Sequence, residues 1–302
     1  EQAVPWYQKA AEANISIAQY MLGTCYHFGK GVSPNEELAL HWLRKAAEQD
    51  YVGAQYALGT LLFRNEDSGE NDAEAVRWLE RAAELGDIGS QVKLGVCYQD
   101  GYNVLEQGKV CFKEDMEKAV ELFRNAAEQG DAEGQFQLAN SYRFGLGVKK
   151  NVPEMLHWLR LSAVQGYAEA QYALGICYQD GIGVKADIEK AMDWYERSAA
   201  QNYPDAICSV GMYYLDEEDD VETAKRLVYK AAQMDCLEAQ YLMGMFLYEG
   251  DDSEEDEEAV AWFRMAARYQ NHGGAMGMLG YCYMNGTGVE QDDEMARDWL
   301  KR

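Results

Sequence analysis

Apolar positions recur along this chain at helical spacing, and the pattern itself repeats. In "QYALGICYQDGIGV", residues 171–184, Leu174 and Tyr178 lie four residues apart around Gly175, a spacing that puts both on one helix face. The same arrangement returns in "AQYMLGTCYHFGKGV", Ala18–Val32, in "AQYALGTLLF", Ala54–Phe63, and in "MLGYCYMNGTGV", Met278–Val289. The central residue is Gly23, Gly59, Gly95, Ala139, Gly175, Gly211, Gly244 and Gly280 in successive copies. The step is 36 residues in most intervals, 44 before Ala139 and 33 before Gly244. A sustained period of this size marks a solenoid.

The rest of each copy predicts a second helix. Its marker falls at Trp6, Trp42, Trp78, Leu122, Trp158, Trp194, Leu227, Trp262 and Trp299, which accounts for all seven tryptophans. Shared placement in a repeat points to packing between helices, not to a stacking platform for a ligand. Five residues before each central position the side chain is small: Ala18, Ala54, Ser90, Gly134, Ala170, Ala206, Ala239 and Ala275. Such a column lets two helices approach closely. Several links between the paired helices read G-x-G-V, as in Gly29–Val32, Gly145–Val148, Gly181–Val184 and Gly286–Val289. Glycine there supplies left-handed backbone; a helix precedes each link where a nucleotide fingerprint would need a strand.

The predicted fold class is therefore all-α: a solenoid of about eight helix pairs occupying residues 1–302 as one domain. It begins inside a repeat at Trp6 and ends inside another at Trp299. An insertion at about 101–115, "GYNVLEQGKVCFKED", explains the long step. Without visible polar capping repeats, the end units are expected to belong to a longer protein or to pack on another chain, for instance as a homodimer.

Composition narrows the partners. With 52 acidic against 27 basic residues the net charge is −25, which repels nucleic acid and anionic membranes and suits a basic partner. No apolar run approaches the length of a membrane span, so no direct membrane insertion is expected. Four prolines in 302 residues favour helix.

The stretch "AEAQYALGICYQDGIGV", residues 168–184, followed by "KAMDWYERSA", residues 190–199, resembles the Sel-one-like repeat, a relative of the tetratricopeptide repeat. The resemblance extends over nearly the whole chain. It implies a right-handed α/α superhelix and an adaptor or scaffold role, and it brings no catalytic residues and no cofactor. Departures occur near Asp216 and Asp251, where the G-x-G-V link becomes acidic. Some secreted members of that family carry a disulfide within each unit. Here Cys25, Cys97, Cys177 and Cys282 occupy one column, two residues after the central glycine, and the total of seven is odd. Buried free thiols fit a reducing compartment, and cytoplasmic localisation is the expectation. No cysteine spacing suggests zinc.

Three kinds of site can be weighed. Catalysis has one candidate, the S-x-x-K of Ser90 and Lys93, the spacing of nucleophile and base in penicillin-recognising enzymes; packing in the small-residue column explains Ser90 as well. His41 and His157 each precede a tryptophan and form no dyad. The acidic links, Asp216, Glu217, Glu218, Asp219 and Asp220 together with Asp251, Asp252, Glu254, Glu255 and Asp256, could dock a basic segment; their spacing does not match a calcium loop. The third candidate is the inner face of the first helices, at −2, +1 and +5 from the central glycine. This face is polar in mid-chain (Lys93, Val96, Asp100, Gln137, Asn140) and apolar afterwards, with Ile176, Met212, Leu242, Met245, Met278 and Tyr281. Exposed methionines make adaptable contact surfaces. The expected function is a non-enzymatic scaffold that captures a peptide or amphipathic helix of a partner protein on its concave face, the acidic links steering basic flanks. A structural spacer in a larger envelope- or membrane-associated protein is the nearest alternative, and a penicillin-hydrolysing enzyme the alternative of another class.

Overall fold

The computed structural model describes residues 3–63, 69–100, 105–106, 109–110, 115–216, 220–248, 255–268 and 272–301. They divide into two compact units, Glu1–Leu161 and Ser162–Arg302. The first unit holds α1 (Val4–Glu12), α2 (Ser16–Phe28), α3 (Glu36–Ala47), α4 (Val52–Leu62), α5 (Gly69–Glu84), α6 (Ile88–Asp100), α7 (Met116–Glu128) and α8 (Ala132–Phe144). The boundary falls within α9 (Val152–Val164). The second unit continues with α10 (Ala168–Asp180), α11 (Ile188–Ala200), α12 (Pro204–Asp216), α13 (Val221–Ala232), α14 (Leu237–Tyr248), α15 (Glu255–Ala266), α16 (Gly273–Asn285) and α17 (Asp293–Lys301). The architecture is all-α with paired helices, as the repeat pattern requires. Within the insertion, Leu105–Glu106 (β1) and Lys109–Val110 (β2) form a two-residue antiparallel ladder, Leu105 opposite Val110.

The even-numbered helices α2–α16 are the first helices of the pairs, and each central glycine is the groove into which the following helix sets a large side chain. Gly23 receives Leu43, Gly59 receives Leu79, Gly175 receives Tyr195 and Gly244 receives Phe263; a Cβ on any of them would stand 2.5–2.8 Å from that side chain. Phe263 and Leu79 are fully buried. The filling residue is therefore the one after the tryptophan. The tryptophans themselves pack half-buried at the cluster margins, as Trp78 and Trp158 do, while Trp6 is 70% exposed. Both glycines of each G-x-G link are left-handed, with φ from 65° to 77°.

A column of buried glutamines, one residue after the small column, ties the pairs together. Gln19, Gln55, Gln91, Gln135, Gln171 and Gln240 each donate through Nε2 to the carbonyl eight residues earlier, at 3.1–3.4 Å. Those carbonyls, such as Ala47 and Ala163, belong to the last turn of the preceding helix, where helical partners run out. In three cases the glutamine oxygen accepts in turn from a second glutamine thirty or more residues on: Gln49 to Gln19, Gln129 to Gln91 and Gln201 to Gln171, at 2.6–2.9 Å. At the matching place for Gln55 stands Leu85, 56% exposed, and the buried Oε1 of Gln55 has no partner among the described residues. A buried orphan acceptor costs about 1–3 kcal/mol. Leu85→Gln should therefore raise stability by about 1 kcal/mol, visible as a thermal midpoint about 2 °C higher; an unchanged or lower midpoint would show that Gln55 needs no donor.

Candidate binding cavity and thiol pair

The two ends of neighbouring first helices meet through a second repeating contact. The residue three before one central glycine touches the residue eight before the next. Tyr20 packs on Tyr51, Tyr172 on Tyr203 and Tyr241 on His272, with ring centroids 5.1, 5.3 and 4.5 Å apart. Between α12 and α14 the same two places hold Cys208 and Cys236. Two sulfur atoms thus replace two rings, and a cavity of about 330 Å³ opens beside them.

Its walls include Tyr172, Met192, Tyr195, Cys208, Ser209 and Met212, with Gln179, Ile188 and Tyr213 also lining it. Asp205, Cys236 and Glu238 complete it and also border a second cavity of about 360 Å³ that extends to Pro204 and His272. Burial pushes the phenols of Tyr172, Tyr195 and Tyr203 up, so all three stay neutral hydrogen-bonding groups; the Tyr195 hydroxyl donates to Gln179 Oε1 at 2.9 Å. His272 caps α16 by accepting from the Ala275 N–H through Nδ1, which leaves Nε2 to donate to Glu238 at 2.9 Å. The cavity is aromatic and thioether-lined with carboxylates on its border. Among the described residues no group of three or more His, Cys, Asp or Glu side chains could hold a metal ion.

The sequence-derived candidates distribute unevenly around this geometry. Met212 lines the cavity. Ile176, Leu242, Met245 and Met278 are half-buried and pack against core clusters of the second unit. Tyr281 is 54% exposed. Among the acidic candidates, Asp220 caps α13, its Oδ1 accepting from the Thr223 N–H at 3.0 Å, and that bond holds its carboxyl below the usual range. Asp216 ends α12, and Glu255 and Asp256 lie in the first turn of α15. Glu217, Glu218, Asp219, Asp251, Asp252 and Glu254 lie outside the described residues. The carboxylates that border the cavity are Asp205 and Glu238, which composition-based scanning for acidic runs passes over because each stands alone.

Ser90 is fully buried, and its hydroxyl donates to Asp87 Oδ2 at 2.7 Å. Lys93 points elsewhere, with Nζ 6.0 Å from the Phe63 ring centre. The geometry of a nucleophile and its base is not assembled by these two residues. Of the thiols, Cys97, Cys177, Cys208, Cys236 and Cys282 are buried and Cys25 is half-buried, and burial raises the Cys282 thiol to about 11. The approach of Cys208 to Cys236 was not legible in the Cys25 column, since neither belongs to it. Among the described residues no helix is long and apolar enough to cross a membrane.

Paired helices of about 36 residues, a glycine groove in most pairs and glycine-bearing links define a helical-repeat protein. The Sel1 repeat model matches residues 1–15, 16–51, 52–87, 88–131, 132–167, 168–203, 237–268 and 274–302. The chain belongs to the Sel1 repeat family, whose members generally act as protein-interaction scaffolds. The longest unmatched stretch, 204–236, holds the helix pair α12–α13, where Ile207 replaces the glutamine and Cys208 the aromatic ring. Among solved structures, the chain is similar to c5321, a protective antigen of uropathogenic Escherichia coli strains with an SLR fold. The two share 30% identity at a TM-score of 0.72, over 99% of this chain and 63% of the antigen. The chain thus spans less than two thirds of that protein's length. It is also similar to a Sel1 repeat protein from Oxalobacter formigenes, at 31% identity and a TM-score of 0.50, covering 99% of this chain and 75% of that one. The immunity protein PA5088 from Pseudomonas aeruginosa, at 18% identity and a TM-score of 0.51 over 73% of this chain and 83% of its own, shares the fold. No curated protein matches the chain.

Proposed function

We propose that this chain is a non-enzymatic scaffold that holds a peptide or amphipathic helix of a partner protein, and that the cavity beside Met212 is the centre of the contact. The observation that carries this reading is the cavity's composition: Tyr172, Met192, Tyr195 and Met212 offer apolar contact, and Asp205 and Glu238 stand on its border. An apolar anchor residue flanked by lysine or arginine satisfies both. Ile176, Leu242, Met245, Met278 and Tyr281 would extend the surface along the first helices of residues 162–302. The acidic links would act at longer range, through steering that weakens with salt.

The test is selection from a random peptide library on the immobilised chain. Peptides with an aromatic or aliphatic anchor and basic flanks should be enriched. Met212→Glu should lower their affinity at least about tenfold, the loss of about 1.4 kcal/mol, while Tyr229→Glu, an exposed site on α13, should leave it unchanged. Equal binding by both variants would remove the cavity from the site. The net charge of −25 argues against nucleic acid as the partner.

A further inference from the structure

Cys208 and Cys236 sit in different helix pairs, 28 residues apart in sequence, yet occupy the two contacting places that elsewhere hold packed rings. Both belong to one core cluster, both are about 95% buried, and both line the cavity that also holds Tyr172 and Met212. Their surroundings are unequal. Cys236 directly precedes α14, at the cap position that Asp115, Asp187, Asp220 and His272 fill on other helices. Its sulfur stands beside the Ala239 N–H and the Cys208 thiol, and its own thiol donates to Asp205 Oδ1 at 3.6 Å. Cys208 lies within α12, buried in the same cluster as Cys236. A sulfur at a helix N-terminus is the better thiolate; the neighbouring Cys208 thiol and the Ala239 N–H hold Cys236 below the usual thiol range, while Cys236 and burial push Cys208 well above it. The Asp205 carboxylate that accepts from Cys236 opposes this without reversing it.

We infer that Cys208 and Cys236 form a reactive dithiol, which closes to a disulfide between α12 and α14 by exchange with a small uncharged or cationic disulfide admitted through the cavity. In the first step the Cys236 thiolate attacks one sulfur of the reagent RS–SR, forming Cys236–S–SR and releasing RS⁻. That thiolate takes the proton of Cys208 and leaves as RSH. The Cys208 thiolate then attacks the Cys236 sulfur and expels the second RS⁻. Two electrons pass from the protein sulfurs to the reagent's S–S bond, and charge is conserved. Asp205 and Glu238 on the cavity border disfavour an anionic reagent. This pairing links neighbouring helix pairs, unlike a disulfide within one unit, and it stands whether or not the cavity also binds a peptide.

The experiment treats the full chain with cystamine, with hydroxyethyl disulfide and with the anionic glutathione disulfide, traps remaining thiols with N-ethylmaleimide, and maps the peptides by mass. A Cys208–Cys236 cross-linked peptide should form before Cys25 is modified, several-fold faster with cystamine than with glutathione disulfide. Cys208→Ser should arrest as a mixed disulfide on Cys236, and Cys236→Ser should leave Cys208 as a thiol. The order of modification in the unaltered chain decides the matter even if either variant folds poorly. A Cys208–Cys236 link that lags behind Cys25, or mixed disulfides on both sulfurs with no link, overturns the inference.

Discussion

Gly147→Ala should be the most damaging single-atom-scale change in residues 1–161, lowering stability by about 3 kcal/mol or more. Two independent causes add. Gly147 has φ of 65°, where an L side chain is strained whatever the space. Its missing Cβ would also overlap the backbone carbonyl of Met116, at the start of α7. Backbone cannot step aside as a flexible side chain can, so the link between α8 and α9 would have to lift off the helix beneath it. Urea unfolding followed by circular dichroism reads the change as a lower midpoint. An unchanged midpoint in the Gly147→Ala variant would show that the second glycine of the link is not held against α7. The same contact recurs at Gly288 over the Asp256 carbonyl, which gives one of the acidic candidates a structural neighbour.

Gly244→Ala has the second-largest expected effect, and its sign separates packing from propensity. Within a helix, alanine is favoured over glycine by about 1 kcal/mol. At 244 the new methyl would stand 2.5 Å from Cε1 of the fully buried Phe263. Against a fully buried ring at that distance the overpacking cost lies in the upper part of the usual range, about 2–3 kcal/mol, so the expected net result is a loss of about 1–2 kcal/mol. Gly277, in α16 of the same unit, has nothing within 4 Å of its would-be Cβ. Gly277→Ala should therefore stabilise by about 0.5–1 kcal/mol. Opposite shifts of the unfolding midpoint support the groove description; shifts of the same sign contradict it.

Both predictions rest on features that were readable from the chain in different degrees. The glycine groove, the small column and the G-x-G links announce themselves because each needs one residue type for a steric reason, and the reason repeats every unit. The filling side chain was harder: Leu43, Leu79, Phe123, Tyr195, Val228 and Phe263 share only bulk, while the neighbouring tryptophans draw the eye by rarity. The glutamine column was equally regular, and its signal was a buried polar residue amid apolar neighbours, at Gln19, Gln55, Gln91, Gln135, Gln171 and Gln240. What hid it is that its bonds reach the preceding helix end, a partner that periodicity along one helix does not reveal. The cavity was less legible still. It depends on contacts between the place occupied by Tyr172 or Cys208 and the place occupied by Tyr203 or Cys236. Those columns tolerate phenol, imidazole and thiol alike, so no motif marks them. Only the register of one helix pair on the next brings the two sulfurs together. Met212 was found for its place in the first helix, and Asp205 and Glu238 were missed because single carboxylates do not stand out against 52 acidic residues.

The scaffold account turns on whether a partner meets the face around Met212. Site-specific photo-crosslinking in the native host tests this most directly, with a benzophenone amino acid placed at Met212, at Tyr281, or at exposed Tyr229 on the helix α13. The account predicts one discrete protein adduct shared by positions 212 and 281 and none at 229. An adduct confined to 229, or no adduct at 212 when the chain demonstrably holds a partner by co-purification, would contradict it.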